Sequence, residues 1–330
     1  MSTPKSAILT TNNLTIGYRN GKNETTILSG LNLSLNCGEL VCLLGANGIG
    51  KSTLLRTLSG VQQSLSGDVY INEKKLSSYS QRERSKLISI VYTDRTLAGA
   101  LTVSELVSLG RHPYTGFFGH LDITDHKIIA HALEAVGMKD KANCYVGTLS
   151  DGERQKTMIA RALAQEAPII ILDEPTAFLD VASRIETMNN LHRLAQEEDK
   201  AILLSSHDIN QSLALANRLW LLRNDHSMIE GITEDLVFSG ELNNLFADRD
   251  VAFDASIGDF TSNKSFQKQI SLYCEDSLLK RWIINALQRD GVGISNDMPN
   301  NITATSPHEI SINGTFVNSI REMLDCVRSL

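Results

Sequence analysis

Cysteine is sparse: five residues (Cys37, Cys42, Cys144, Cys274, Cys326), odd in number, scattered, with no Cys-x-x-Cys pair. That argues against a disulfide framework or a cysteine zinc site and fits reduced thiols in a cytosolic chain. No apolar run approaches the roughly 18 residues that a helix needs to cross a bilayer. The opening MSTPKSAILTTNN lacks the apolar core and small-residue cleavage site of a secretory signal, so none is expected. Positive charge is not in excess either. Lys and Arg total 31 against 38 Asp and Glu, a net charge of −7, so no nucleic-acid partner is expected. Internal repeats and low-complexity tracts are also missing. What remains is an ordinary globular mixture, 42% hydrophobic and 21% charged, long enough for about two domains at roughly 150 residues each.

Hydrophobic periodicity sketches the elements. Residues 13–18 (NLTIGY) and 31–36 (LNLSLN) alternate as half-buried strands, whereas 40–44 (LVCLL) and 168–172 (PIIIL) are continuous apolar runs suited to strands covered on both faces. A strand is expected at 67–72 and another at 201–205. Ser80-x-x-Glu83 and Ser150-x-x-Glu153 are capping boxes, the second opening a helix through Ala164. Helices are also expected from Lys51, at 181–197 and at 208–216. Strands alternating with helices predict a mostly parallel α/β sheet. The helical stretch at about 95–165 interrupts that alternation as an inserted subdomain. Beyond 250 the texture changes. Residues 255–268 read as a linker, followed by a small β-α-β-β-α unit in which Phe316, Ile320, Leu324 and Val327 share one helical stripe. The expected division is 1–255 and 256–330.

Two segments carry chemistry. Gly45-Ala46-Asn47-Gly48-Ile49-Gly50-Lys51-Ser52-Thr53 matches G-x-x-x-x-G-K-[ST], between a buried strand and a helix. Glycines let the backbone wrap a phosphate, with loop N–H groups pointing inward at a helix N-terminus. Lys51 supplies charge for the β- and γ-phosphates, and the Ser52 hydroxyl suits Mg²⁺. Ile169–Leu172 runs into Asp173 and Glu174 at a strand's carboxyl end, in the crevice that the phosphate loop faces. Asp173 is placed to hold Mg²⁺ and Glu174 to polarise an attacking water. His112, His120, His126 and His131 are spaced too irregularly for a metal site and read as solvent-facing or loop residues.

Leu149-Ser150-Asp151-Gly152-Glu153 resembles the L-S-G-G-Q signature of ATP-binding cassette ATPases. Phe178-Leu179-Asp180 resembles that family's D-loop, His207 its switch histidine, and Tyr18 the aromatic that stacks on adenine. The matches run in family order over roughly residues 5–250. The resemblance implies a P-loop NTPase-like fold with an antiparallel β part and the helical subdomain. The small C-terminal α+β domain lies outside it, and its β-α-β-β-α pattern alone suggests that it extends the homodimer contact or senses a small ligand. It implies ATP and Mg²⁺ as ligands, with Glu174, His207 and Lys51 catalytic. Ser150 and Gly152 of one copy close over ATP held by Gly45, Asn47, Gly48, Gly50, Lys51, Ser52 and Thr53 of another. Two departures stand out: Asp151 replaces a glycine, and Asp94 follows the strand at 89–93 where the family has glutamine. As a hard oxygen donor, Asp94 is expected to take Mg²⁺ or its water.

Leu106–Tyr114 resembles the Gly-Arg-x-Pro stretch of cassettes serving importers of iron–siderophore, heme or vitamin B12. The resemblance therefore implies an ATP-hydrolysing homodimer bound to separate permease subunits at the cytoplasmic face of the inner membrane, and indirectly to a substrate-binding protein. A soluble cassette that remodels a macromolecular complex, and a nucleotide-binding regulator of low turnover, stay open as alternatives.

Overall fold

The computed structural model describes residues 7–21, 23–92, 100–116, 119–177, 179–246, 250–255, 257–262, 266–296 and 298–330. The chain divides into two compact units, Met1–Thr261 and Ser262–Leu330.

The first unit is built on a six-stranded sheet. Its strands are β4 (Glu39–Gly45), β7 (Ile88–Val91), β8 (Ile169–Leu172), β9 (Ala201–Ser205), β10 (Arg218–Leu222) and β11 (Met228–Ile232), in the order β11-β10-β4-β9-β8-β7. All neighbours are parallel except the β10–β11 edge pair. A sheet covered on both sides needs apolar residues in both alternating sets. Leu40, Cys42 and Leu44 of β4 join one core with Ile170, Ile202 and Leu219, while Val41 and Leu43 join a second with Ile169, Leu203 and Trp220. Burial pushes the Cys42 thiol up to about 12, so it packs as a small hydrophobe.

One face is covered by α1 (Lys51–Leu58) and a second, antiparallel sheet of β1 (Ala7–Asn20), β2 (Asn23–Leu31), β3 (Ser34–Asn36), β5 (Ser66–Ile71) and β6 (Lys74–Lys75). The other carries α3 (Val103–Ser108), α4 (Ile123–Ala135), α5 (Asp151–Ala164), α6 (Val181–Glu197), α7 (Ile209–Leu215) and α8 (Thr233–Phe238), while the short α2 (Gln81–Leu87) leads into β7. The expected strand at 31–36 is two pieces, because β2 ends at Leu31 and β3 starts at Ser34, each pairing with a different part of β1. Residues 255–268, read as a linker, include a strand: β12 (Val251–Asp254) pairs with β13 (Asp259–Ser262). Phe260 packs edge-on against Phe246 and Phe253, centroids 4.9 and 5.3 Å apart, which places the division six residues later than expected.

The second unit is a five-stranded sheet with two helices: β14 (Lys268–Tyr273), α9 (Ser277–Arg289), β15 (Val292–Ile294), β16 (Asn301–Ser306), β17 (Glu309–Ile312), β18 (Thr315–Val317) and α10 (Ile320–Ser329). It has more strands than the sequence pattern predicts. Phe316 belongs to β18 and is exposed, because Asn313-Gly314, both at positive φ, close a two-residue hairpin before the helix begins. Met323, Leu324 and Val327 carry the buried stripe of α10.

Within the helical subdomain, α4 is tied to the end of α5 by a buried cation. Arg111 donates from Nε to Asp125 Oδ1 (2.7 Å) and from Nη1 to Ala164 O and Glu166 Oε2 (both 2.8 Å), with the Tyr114 ring 4.2 Å from its guanidinium. Gly110 permits this approach, since a Cβ there would lie 2.3 Å from Arg161 O. The Arg111 bond holds the Asp125 carboxyl below its usual range, so this contribution is present above the ordinary carboxylate value and lost as pH falls through the depressed one. Arg111→Met leaves a buried acid uncompensated and should destabilise the first unit by about 3 kcal/mol. Urea unfolding checks this in a Trp282→Phe background, where buried Trp220 is the remaining tryptophan reporter. The difference from the parent should shrink in acid.

Candidate active site

Three parallel strands end at one crevice. After β4 the chain turns through 45–53 into α1, with Gly48 and Gly50 at φ +77° and +116°. A Cβ on Gly50 would lie 2.4 Å from Ile27 Cγ2, so the loop closes on β2 only with glycine there. Lys51, though buried, is held inside the loop: Nζ donates to Gly45 O (2.8 Å) and Ala46 O (3.0 Å). Burial lowers its ammonium below the ordinary value, while Glu174 and Asp173 pull it back up.

β8 and β9 deliver the acids and the histidine. Asp173 is buried and Glu174 half-buried. Glu174 has φ +50°, a backbone region that residues with side chains seldom adopt. Its Oε1 lies 2.5 Å from Nε2 of His207, just beyond β9. Tyr18 stands at the mouth, half exposed, its hydroxyl 2.8 Å from Thr53 Oγ1. A cavity of about 460 Å³ is lined by Tyr18, Ile27, Asn47, Gly48, Gly50, Lys51, Ser52, Thr53, Glu174 and His207. Nine of the residues expected from sequence thus share one space. Gly45 lies at its base through the Lys51 bond. Ile27 is a lining residue that no motif reveals.

Ser150, Gly152 and Asp180 do not line this cavity. They form a second cluster built from two helix starts. Ser150 caps α5 through the box with Glu153, and Asp180 caps α6 through Ser183 N (2.9 Å) and Ser183 Oγ (2.8 Å), which holds the Asp180 carboxyl low. The two starts abut: a Cβ on Gly152 would meet Ser183 Oγ at 3.3 Å. Asp151 meets a cation in its own helix, pairing with Arg154 Nη1 at 2.8 Å, while Arg154 Nη2 donates to Leu149 O. Arg184 of α6 connects the segment before Asp180 to the one after His207, donating to Leu179 O and Asp208 Oδ2, both at 3.2 Å. Asp94 and Phe178 lie outside the described residues.

The cradle has the features of a triphosphate site: a glycine loop at a helix N-terminus, a lysine inside it, and an acid–histidine pair across the cavity. Ser52 and Asp173 are hard oxygen donors of the kind Mg²⁺ takes. Among the described residues, no helix is long and apolar enough to cross a membrane.

Comparison with known proteins agrees. A family model described as ABC transporter matches residues 28–177. An uncharacterised ABC transporter ATP-binding protein of Methanocaldococcus jannaschii is 38% identical over 81% of this chain and 91% of its own. The iron(3+)-hydroxamate import ATP-binding protein of Bacillus subtilis is 37% identical over 72% of this chain and 87% of its own. Among solved structures, an inward-facing ABC transporter described as metal-chelate type superposes with a TM-score of 0.63 at 30% identity, over 73% of this chain and 90% of that one. A dimeric bacterial ABC transporter cassette superposes at 0.57 and 30% identity, over 64% and 93%. With the cradle, the acid–histidine pair and the signature helix in family order, the chain belongs to the ABC transporter ATP-binding proteins and is a nucleotide-binding ATPase subunit.

Proposed function

We propose that this chain powers an importer of an iron chelate or of vitamin B12, hydrolysing ATP as a head-to-tail pair on separate permease subunits at the cytoplasmic face of the membrane. The observation that carries the pairing is the split site. The cradle, Glu174 and His207 share one cavity, while Ser150 and Gly152 sit at another helix start of the same chain. A second copy supplies them, and a bacterial cassette of similar fold is dimeric. The iron hydroxamate importer subunit and the metal-chelate transporter among its relatives support the cargo class, as does the Gly110-Arg111-His112-Pro113 stretch, where Arg111 fixes a loop with exposed Leu109 and Tyr114. The permease meets this loop, and a substrate-binding protein meets the permease.

The chain's own groups suit in-line hydrolysis. Loop N–H groups and Lys51 hold the β- and γ-phosphates. Glu174, steadied by His207, accepts a proton as water attacks the γ-phosphorus and the bond to ADP breaks. Mg²⁺, held by Ser52 and Asp173, would neutralise charge on the phosphate oxygens. Tyr18 offers its ring to adenine at the cavity mouth.

Glu174→Gln should lower ATP turnover at least about a hundredfold. With ATP and Mg²⁺ it should accumulate a dimer by light scattering; a monomer at saturating ATP would overturn the pairing. Capture of a polytopic permease from membranes, lost when Leu109 and Tyr114 are changed to aspartate, tests the importer reading.

The Asp151–Arg154 pair keeps a carboxylate occupied next to the signature serine. Arg154→Ala should raise the KM for ATP about fivefold, the size of one partly screened charge contact. Asp151→Gly in the same chain should restore it, as measured by steady-state kinetics.

A further inference from the structure

Ser205 closes β9 and is fully buried. The preceding residues Ala201–Leu204 are all apolar and buried, and its partner on β4 is Leu43. A hydroxyl among such neighbours is costly unless it is hydrogen-bonded, and this one both accepts and donates. Ser205 Oγ accepts the Glu174 backbone N–H at 2.9 Å and donates to Asp173 Oδ1 at 2.7 Å. One atom thus joins the two acids at the end of β8.

The backbone supplies a second, independent observation. Glu174 sits at φ +50°, a conformation that persists only where the surroundings over-determine it. Its N–H is held by Ser205 and its carboxylate by His207, so both restraints come from the same exit of β9. The Asp173 N–H is held from the opposite side by Val91 O at 2.9 Å, at the end of β7. The acid pair is therefore bracketed by both strands flanking β8, and within that bracket the Ser205 side chain reaches both acids.

We propose that Ser205 is a positioning residue for ATP hydrolysis, its single hydroxyl setting the rotation of the Asp173 carboxylate and the backbone of Glu174 together. This rests on the hydrolytic reading of the site. The cation-binding acid and the water-activating acid are then aligned by one donor–acceptor group, and removing it misplaces both at once. Lys51 and the phosphate loop are untouched, so nucleotide affinity without metal stays the same.

The test uses the full-length protein with Ser205→Ala and Ser205→Thr. Ser205→Ala should lower kcat about tenfold, the worth of one hydrogen bond to a charged group, with KM for ATP within about twofold. Ser205→Thr keeps the hydroxyl and should recover most of the rate. A fluorescent ATP analogue titrated in EDTA should bind both variants and the parent alike. Titrated with Mg²⁺, it should show a severalfold higher half-saturating Mg²⁺ for Ser205→Ala alone. An unchanged kcat in Ser205→Ala overturns the proposal, as does a fall shared with Ser205→Thr and accompanied by weaker binding in EDTA, the mark of a packing defect. If the parent itself does not turn over ATP, the hydrolytic reading fails. The Mg²⁺ titration then decides the positioning of Asp173 separately, and an unshifted curve overturns it.

Discussion

Burial of the central sheet on both faces is the constraint from which the rest of the first unit follows. β4, β8, β9 and β10 each send alternate side chains into two different cores, so none of their polar backbone can turn to water and every strand must be paired along its length. Polar chemistry is then possible only where the strands stop. Gly45, Asp173 and Ser205 all stand at such ends, and the parallel direction of β4, β8 and β9 brings those ends to the same edge. Phosphate loop, acid pair and histidine meet because the apolar strands leave them nowhere else to be.

Helix starts organise the remainder. Ser80, Thr102, Asp122 and Ser150 each close a capping box, and Asp180 and Asp208 cap α6 and α7. Such caps fix where a helix begins and the direction in which its first N–H groups point. At Ser150 and Asp180 the same device brings two helix starts against each other, and the signature segment rests on that contact. The charged pairs Asp151–Arg154 and Lys141–Glu153 lie on the surface beside it and contribute little to stability. What they set is the local charge.

Much of this is legible in the residues because the determinants are local. Continuous apolar runs announce strands covered on both sides, glycine spacing announces a tight loop between β4 and α1, and Ser-x-x-Glu announces a helix start. The Phe316 stripe misleads for a physical reason: an apolar residue four positions before Ile320 fits a helical period, yet Asn313-Gly314 forces a hairpin that uses Phe316 as strand. β15 and β16 are illegible because VGI is only three residues with glycine at its centre, and NITATS offers just Ile302 and Ala304 as apolar positions, too few to announce the alternation they show in the fold. The β12–β13 pair hides in polar sequence because its anchor, Phe253 on Phe260, is a contact between residues that no period relates. Ser205 and Ile27 escape for the same reason, since their importance depends on what a neighbouring strand brings beside them.

The span of α5 has a mechanical consequence. One uninterrupted helix of 14 residues carries Ser150 at its first turn and receives the Gly110–Arg111 clasp at its last. At 1.5 Å per residue that is a strut of about 21 Å. A hydrogen-bonded rod without proline or glycine in its middle transmits displacement along its axis with little loss. A push on the clasped end is therefore delivered at the serine end as motion of the whole rod.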